Sequence, residues 1–247
     1  RMKELISSTN LRYTATELIA TFMFVFMGVG AVGAATHAGL SLMSPFDTAG
    51  LIVIALGHGL GIFLGIIVFG RITGAHMNPA VTIATVISGN LSVIRGVSYV
   101  LGQLIGAIVA IVLIDTVVWN VDSLGVHGLT VPTNKALAIE VILTFFLVFT
   151  IFASVIDKRG NAAWAPIAIG LVVFVDHLIA VPLTGASMNP ARTLGPALVH
   201  GDWADHWVYW AGPIIGGIVA AVTYVLLFCE KSERDKLGCL KLTSEET

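Results

Sequence analysis

Asparagine followed by proline and alanine stands twice in the chain, at Asn78-Pro79-Ala80 and Asn189-Pro190-Ala191, and Arg192 follows the second copy directly. An asparagine carboxamide can donate an N–H to a water oxygen. A helix that begins just after it adds the positive end of its dipole. Two such helix ends aimed at one point, with a guanidinium beside them, suit a neutral polar molecule held through its oxygen, and they repel cations. They do not suit bond breaking. No nucleophile–base pair or phosphate-binding loop is evident, and Cys229 and Cys239 give neither a disulfide framework nor metal-ligand spacing. No catalytic residue, metal or cofactor is therefore expected. A net charge of −2 gives no footing for nucleic acid.

The elements that carry these residues are apolar and long. Hydrophobic residues make up 56% of the chain and charged residues 11%, where a soluble domain carries roughly a quarter charged. A helix crossing the bilayer needs about 20 apolar residues. Six runs qualify, at about Leu11–Thr36, Gly50–Gly70, Ile94–Val118, Lys135–Ile156, Ala165–Leu183 and Trp207–Phe228. Their flanking cations are lopsided. Arg1, Lys3, Arg12, Arg71, Arg95, Lys158, Arg159, Lys231, Arg234, Lys236 and Lys241 fall on one face, and only Lys135 and Arg192 on the other. That bias puts both termini in the cytoplasm. No removable signal peptide is expected, because the first apolar run is too long.

The two halves of the chain are copies. "TGAHMNPAVT" from Thr73 returns as "TGASMNPART" from Thr184, and "ELIATFMFVF" from Glu17 as "EVILTFFLVF" from Glu140. Gly102 and Gly212 open a further pair, "GQLIGAIVA" and "GPIIGGIVA", whose separation matches that of the Asn-Pro-Ala segments to within one residue. Three spans per half is an odd number, so the halves must lie inverted relative to each other. The expected fold is an all-α membrane protein. It has six transmembrane helices plus two re-entrant half-helices in an inverted 3+3 repeat. It forms a single domain over 1–247, with repeat one at about 11–118, repeat two at about 135–228 and a cytoplasmic tail at 229–247. Each Asn-Pro starts an apolar run too short to cross, to about Ile87 and Val199. Asparagine as N-cap and proline at the first position make each a half-helix. Their N-termini meet near the bilayer centre. Gly102, Gly106, Gly212 and Gly216 have the small-xxx-small spacing of close helix crossings.

"HMNPAVT", "SMNPARTLGP" and the paired Glu…Thr-Phe openings make the sequence resemble the aquaporins of the major intrinsic protein family, from about Tyr13 to Phe228. "HWVYWAGP" from His206 resembles the plant vacuolar subgroup. The resemblance implies a homotetramer with one pore per subunit. It also implies a selectivity filter of His58, His177, Ala186 and Arg192 on the outer side of the midplane. The topology agrees, since Arg192 lies about 4.5 Å beyond Asn189 along its half-helix. A cation at that depth belongs in a wet, functional place. His177 matches the histidine of water-selective members. His58 departs from their phenylalanine and gives a more polar filter, with His177 on the opposite wall. The alternative for His58 is a packing residue bonded to a backbone carbonyl.

Other polar residues have plainer readings. His127 is expected as a solvated loop histidine, with a place at the filter as the alternative, and His76 in the cytoplasmic vestibule. Glu17 and Glu140 are read as buried acceptors for the backbone N–H groups of the re-entrant loops. Asp176 lies about 100° round its helix from His177, off the pore face. The expected function is a passive water channel that excludes protons and ions, with ammonia and hydrogen peroxide as further candidate permeants. Thr193 and Ala197 stand where glycerol-conducting members carry an aspartate and a basic residue, which disfavours the alternative of a glycerol or small-solute facilitator. A proton-coupled secondary transporter is the alternative of another class. The bilayer is the expected partner, and the cell membrane is expected ahead of an intracellular one.

Overall fold

Apolar length and helix capping together set the architecture. The computed structural model describes residues 7–40, 47–118 and 122–229. Helices α1 (Ser8–His37) and α2 (Thr48–Thr73) are long, α3 (Pro79–Ile87) is short, and α4 (Val93–Leu113) runs on as a π-turn over Ile114–Val118. The second half repeats this order. Helix α5 (Thr133–Ile151) continues as a π-turn over Phe152–Ile156, followed by α6 (Ala165–Thr184), the short α7 (Pro190–His200) and α8 (Val208–Leu227). The six long helices are long and apolar enough to cross a membrane. Local signals set their limits. Ser7 accepts the N–H of Asn10, so α1 starts a turn before its apolar run. Helices α2 and α6 both stop at a left-handed glycine, Gly74 (φ +88°) and Gly185 (φ +81°).

The packing has the pseudo-twofold symmetry that the repeat requires. Helix α1 packs on α2 and α4, and α5 packs on α6 and α8. Helices α2 and α6 meet across the middle. The short α3 lodges against α8, and the short α7 against α4. Exchanging the halves maps this set of contacts onto itself, as in an inverted 3+3 repeat. The glycine pairs permit the closest crossings. A Cβ at Gly102 or Gly106 would run into the carbonyl oxygens of Thr14 and Leu18, and one at Gly216 into that of Val141. Leu60, Ile67, Leu101 and Leu171 are exposed on the outside, where they suit hydrocarbon rather than water. The expected tail, with Lys231, Arg234, Lys236, Cys239 and Lys241, lies outside the described residues, as do Arg1 and Lys3.

Candidate functional site

The two short helices begin as the Asn-Pro pairs dictate. The Asn78 side-chain oxygen accepts the N–H of Ala80 at 2.8 Å, and that of Asn189 accepts from Ala191 at 3.0 Å. Each proline occupies the first turn, where its missing N–H costs nothing. The two N-termini are joined to each other. Asn78 Nδ2 donates to the carbonyl of Met188 and Asn189 Nδ2 to that of Met77, both at 2.8 Å. One hydrogen of each amide is thereby committed to the opposite loop, and one is left for a guest molecule.

This reciprocal clasp needs unusual backbone. Ala75, Met77, Ala186 and Met188 all have φ between +49° and +59°, which turns carbonyls inward at a steric cost. Two buried carboxylates hold the strained loops. Glu17 accepts from Thr73 Oγ1 at 2.6 Å, His76 N at 3.1 Å, Met77 N at 2.9 Å and Gln103 Nε2 at 2.9 Å. Glu140 accepts from Thr184 Oγ1 at 2.7 Å, Ser187 N at 3.0 Å and Met188 N at 2.8 Å. An anion with three or four converging donors is a strong anchor.

Beyond Asn189 lies a cluster of one buried cation and three imidazoles. Arg192 is buried, and no carboxylate among the described residues pairs with it. Its Nη1 donates to the carbonyl of Gly125, and its Nε lies 3.4 Å from His58 Nε2. His58 Nδ1 lies 2.9 Å from the Ile54 carbonyl, so Nδ1 carries the hydrogen and Nε2 is the acceptor that faces Arg192. His58 therefore bonds a backbone carbonyl and also meets the guanidinium. His177 Nδ1 lies 2.8 Å from the Val173 carbonyl, which leaves Nε2 a lone-pair acceptor with no partner among the described residues. The two imidazoles stack, with centroids 4.2 Å apart and planes 25° apart. They form one layered wall rather than the two facing walls expected. Ala186 is fully buried.

The largest departure from the sequence reading is His127. It is not solvated; 5% of its surface is exposed. Its Nδ1 lies 3.0 Å from Thr193 Oγ1 and 3.5 Å from Arg192 Nη1, and its ring packs on Tyr209 at 4.9 Å. The loop is pinned down on both sides of it. Arg192 holds the Gly125 carbonyl, and Thr130 bonds the carbonyls of Leu183 and Pro182. Burial first, and the Arg192 cation second, hold His127 well below the ordinary histidine range, so it is neutral.

On the opposite side of the clasp His76 and Asn78 line a cavity of about 970 Å³, together with Tyr99, Arg95 and Arg71. His76 Nδ1 lies 3.1 Å from Thr82 Oγ1, and its ring stands edge-on to Tyr99 at 5.2 Å. Sequence reasoning missed Thr82, Thr193, Ser187 and Gln103. A threonine four residues after each asparagine was the available signal. Asp176 is buried, its Oδ2 has no partner among the described residues, and nothing around it assigns it a role.

A reciprocally clasped pair of half-helices inside six crossing helices defines a class of membrane protein, and comparison with known proteins names it. The profile of the family described as Major intrinsic protein matches residues 4–224. Aquaporin TIP2-1 of Zea mays is 41% identical over 228 residues, covering 88% of each chain. Aquaporin TIP2-1 of Arabidopsis thaliana is 41% identical over 243 residues, covering 94% of this chain and 93% of its own. Among solved structures, the aquaglyceroporin from Plasmodium falciparum matches with a TM-score of 0.77 at 23% identity, covering 92% of this chain and 99% of its own, a likeness of fold. The chain belongs to the major intrinsic protein family, as an integral, multi-pass membrane protein of aquaporin type.

Proposed function

We propose that the protein is a passive water channel that excludes protons and ions and also passes ammonia and hydrogen peroxide. The observation that carries this reading is the clasp between Asn78 and Asn189. Each half-helix N-terminus carries roughly half a positive charge, and both point at the same place. A water there accepts through its oxygen from the free hydrogens of the two amides. Its own hydrogens then point outward, and it cannot take a proton from a neighbour. The proton wire breaks at that water. Arg192, buried and without a carboxylate partner among the described residues, adds a second barrier to cations.

The filter in this reading is Arg192, His58, His177 and Ala186, with His127 as a fifth member. His58 acts through Arg192, because both its nitrogens are engaged. His177 Nε2 offers an acceptor to the permeant. The reading is one of transport without catalysis, by a homotetramer with a pore in each subunit and both termini in the cytoplasm. His76 then lies in the cytoplasmic vestibule. The names of the relatives, tonoplast-type aquaporins, favour an intracellular membrane over the cell membrane expected from the sequence.

Proteoliposomes test the whole reading in one preparation. Stopped-flow shrinkage and an internal pH dye compare water, ammonia, hydrogen peroxide, glycerol and proton fluxes. Water, ammonia and peroxide should pass without saturation, glycerol poorly and protons not at all. A proton flux that rises with the water flux would defeat the mechanism. Saturation, or dependence on a proton gradient, would favour a coupled transporter instead.

A further inference from the structure

We propose that Thr193, with Ser187 behind it, is a positioning residue of the selectivity filter: its hydroxyl fixes the tautomer of His127 and so decides whether His127 offers the permeant an acceptor or a donor. The inference rests on the channel reading above.

The argument is a proton count. Ser187 Oγ has one hydrogen and lies 3.1 Å from the Asn189 carbonyl, which can only accept. It lies 3.2 Å from the Asn189 N–H, which can only donate, and 2.5 Å from Thr193 Oγ1. With its hydrogen on the Asn189 carbonyl, Ser187 must accept from Thr193. Thr193 has then used its one hydrogen and can only accept from His127. His127 Nδ1, 3.0 Å away, therefore carries the hydrogen. Arg192 Nη1, a donor only, is farther from it at 3.5 Å. That leaves His127 Nε2 as a bare lone pair, buried and without a partner among the described residues.

The other half of the molecule supports the same assignment independently. Thr82 is the counterpart of Thr193. It donates to the Asn78 carbonyl at 3.1 Å and accepts from Gln103 Nε2 at 2.9 Å, so it too can only accept from His76 Nδ1 at 3.1 Å. Both imidazoles also lie over the glycine that ends the helix before the re-entrant loop of that half. A Cβ on Gly74 would meet the His76 ring at 3.3 Å, and one on Gly185 the His127 ring at 2.7 Å. Each half thus builds the same seat of glycine, tyrosine and accepting threonine. In the second half Ser187 stands where His76 stands in the first, and the connecting loop delivers the imidazole.

Removing the Thr193 hydroxyl frees Nδ1 to accept from Arg192 Nη1. The hydrogen then moves to Nε2, and the filter exchanges an acceptor for a donor. Ammonia accepts hydrogen bonds better than water and donates them less well, so it gains. Full-length protein in lipid, labelled with ¹⁵N-histidine, reports the tautomer by solid-state NMR, with His127→Gln to assign the signal. The same preparations give the ammonia-to-water permeability ratio. His127 should be the Nδ1–H tautomer in the unaltered protein and in Thr193→Ser. In Thr193→Val it should become Nε2–H, with the ratio about fivefold higher. If Thr193→Val does not assemble, Ser187→Ala carries the test, since it removes the acceptor of the Thr193 hydrogen. An Nε2–H tautomer in the unaltered protein, or an unchanged tautomer and ratio in the variant that assembles, overturns the inference. Absence of water and ammonia flux would defeat the channel reading instead, while the NMR result still decides the tautomer.

Discussion

The seat around His76 and the seat around His127 are built from the same parts and differ in how the imidazole arrives. His76 belongs to its own re-entrant loop, and its backbone N–H is tied to Glu17. His127 comes from the connection between the halves and is held by side-chain and loop contacts alone. The neighbouring residue differs as well. Val81 in α3 occupies the place that Arg192 occupies in α7, and both are buried. One half therefore lines a wide cavity, and the other gathers a buried cation and three imidazoles. An inverted repeat supplies two equal frames. The two halves differ in the few places where the frames are filled differently, and in the proposed channel those places would set the selectivity.

The largest expected effect breaks what the halves share. In Glu17→Gln or Glu140→Gln an amide NH₂ replaces one carboxylate oxygen and faces backbone N–H and hydroxyl donors. Each buried donor left without an acceptor costs about 1–3 kcal/mol. Both variants should lose folded protein, measured as the fraction that stays monodisperse after heating in detergent. Glu17→Gln should lose at least as much as Glu140→Gln, because Glu17 holds four donors and Glu140 three. Full recovery of either would mean that the loops keep their strained backbone without the acid.

The second effect removes the difference between the halves. Arg192→Val copies the Val81 half onto the other one. Folding should survive, since Arg192 has no carboxylate partner among the described residues to leave unpaired. Replacing the guanidinium by a shorter apolar side chain should admit a bulkier permeant, and the glycerol-to-water permeability ratio should rise about tenfold, on the order of 1.4 kcal/mol of discrimination. An unchanged ratio would place the selective step elsewhere in the pore.

The sequence made the shared frame legible and the difference only partly so. The six spans follow from apolar length, and the half-helices from Asn-Pro grammar. The paired acids follow from symmetric placement. All of these are local or periodic signals. Arg192 was legible because a cation inside an apolar run needs a reason. The place of His127 was not, because it depends on a loop folding back over α7 through the Gly125 carbonyl and Thr130. A histidine in "GVHGLTVP" carries no sign of that. The stacking of His58 on His177 was also out of reach, since it depends on how α2 and α6 cross.

The smallest effect sharpens the comparison at the connections between the first and second spans of each half. Asp47 caps α2 there, accepting from Ala49 at 2.7 Å. In the other half Asp157 is buried, accepts from Tyr224 Oη at 2.8 Å and is paired with Arg159, which also reaches the Phe228 carbonyl. The Arg159 hydrogen bonds, against the cost of burial, hold the Asp157 carboxyl well below the usual carboxylate range. Its contribution is therefore present at neutral pH and is lost as pH falls below about 4 toward that lowered value. Asparagine caps helices as well as aspartate does, so Asp47→Asn should change nothing measurable. Asp157→Asn turns an NH₂ toward the Arg159 guanidinium and should loosen this connection. Arg159 is more than half exposed, so the loss is limited to about 1 kcal/mol. Amide hydrogen exchange over residues 157–164 should be about fivefold faster in Asp157→Asn at neutral pH, and the gap should narrow as the unaltered protein is acidified. Equal exchange at neutral pH would show that the buried end is held by α8 packing alone, with no contribution from the ion pair.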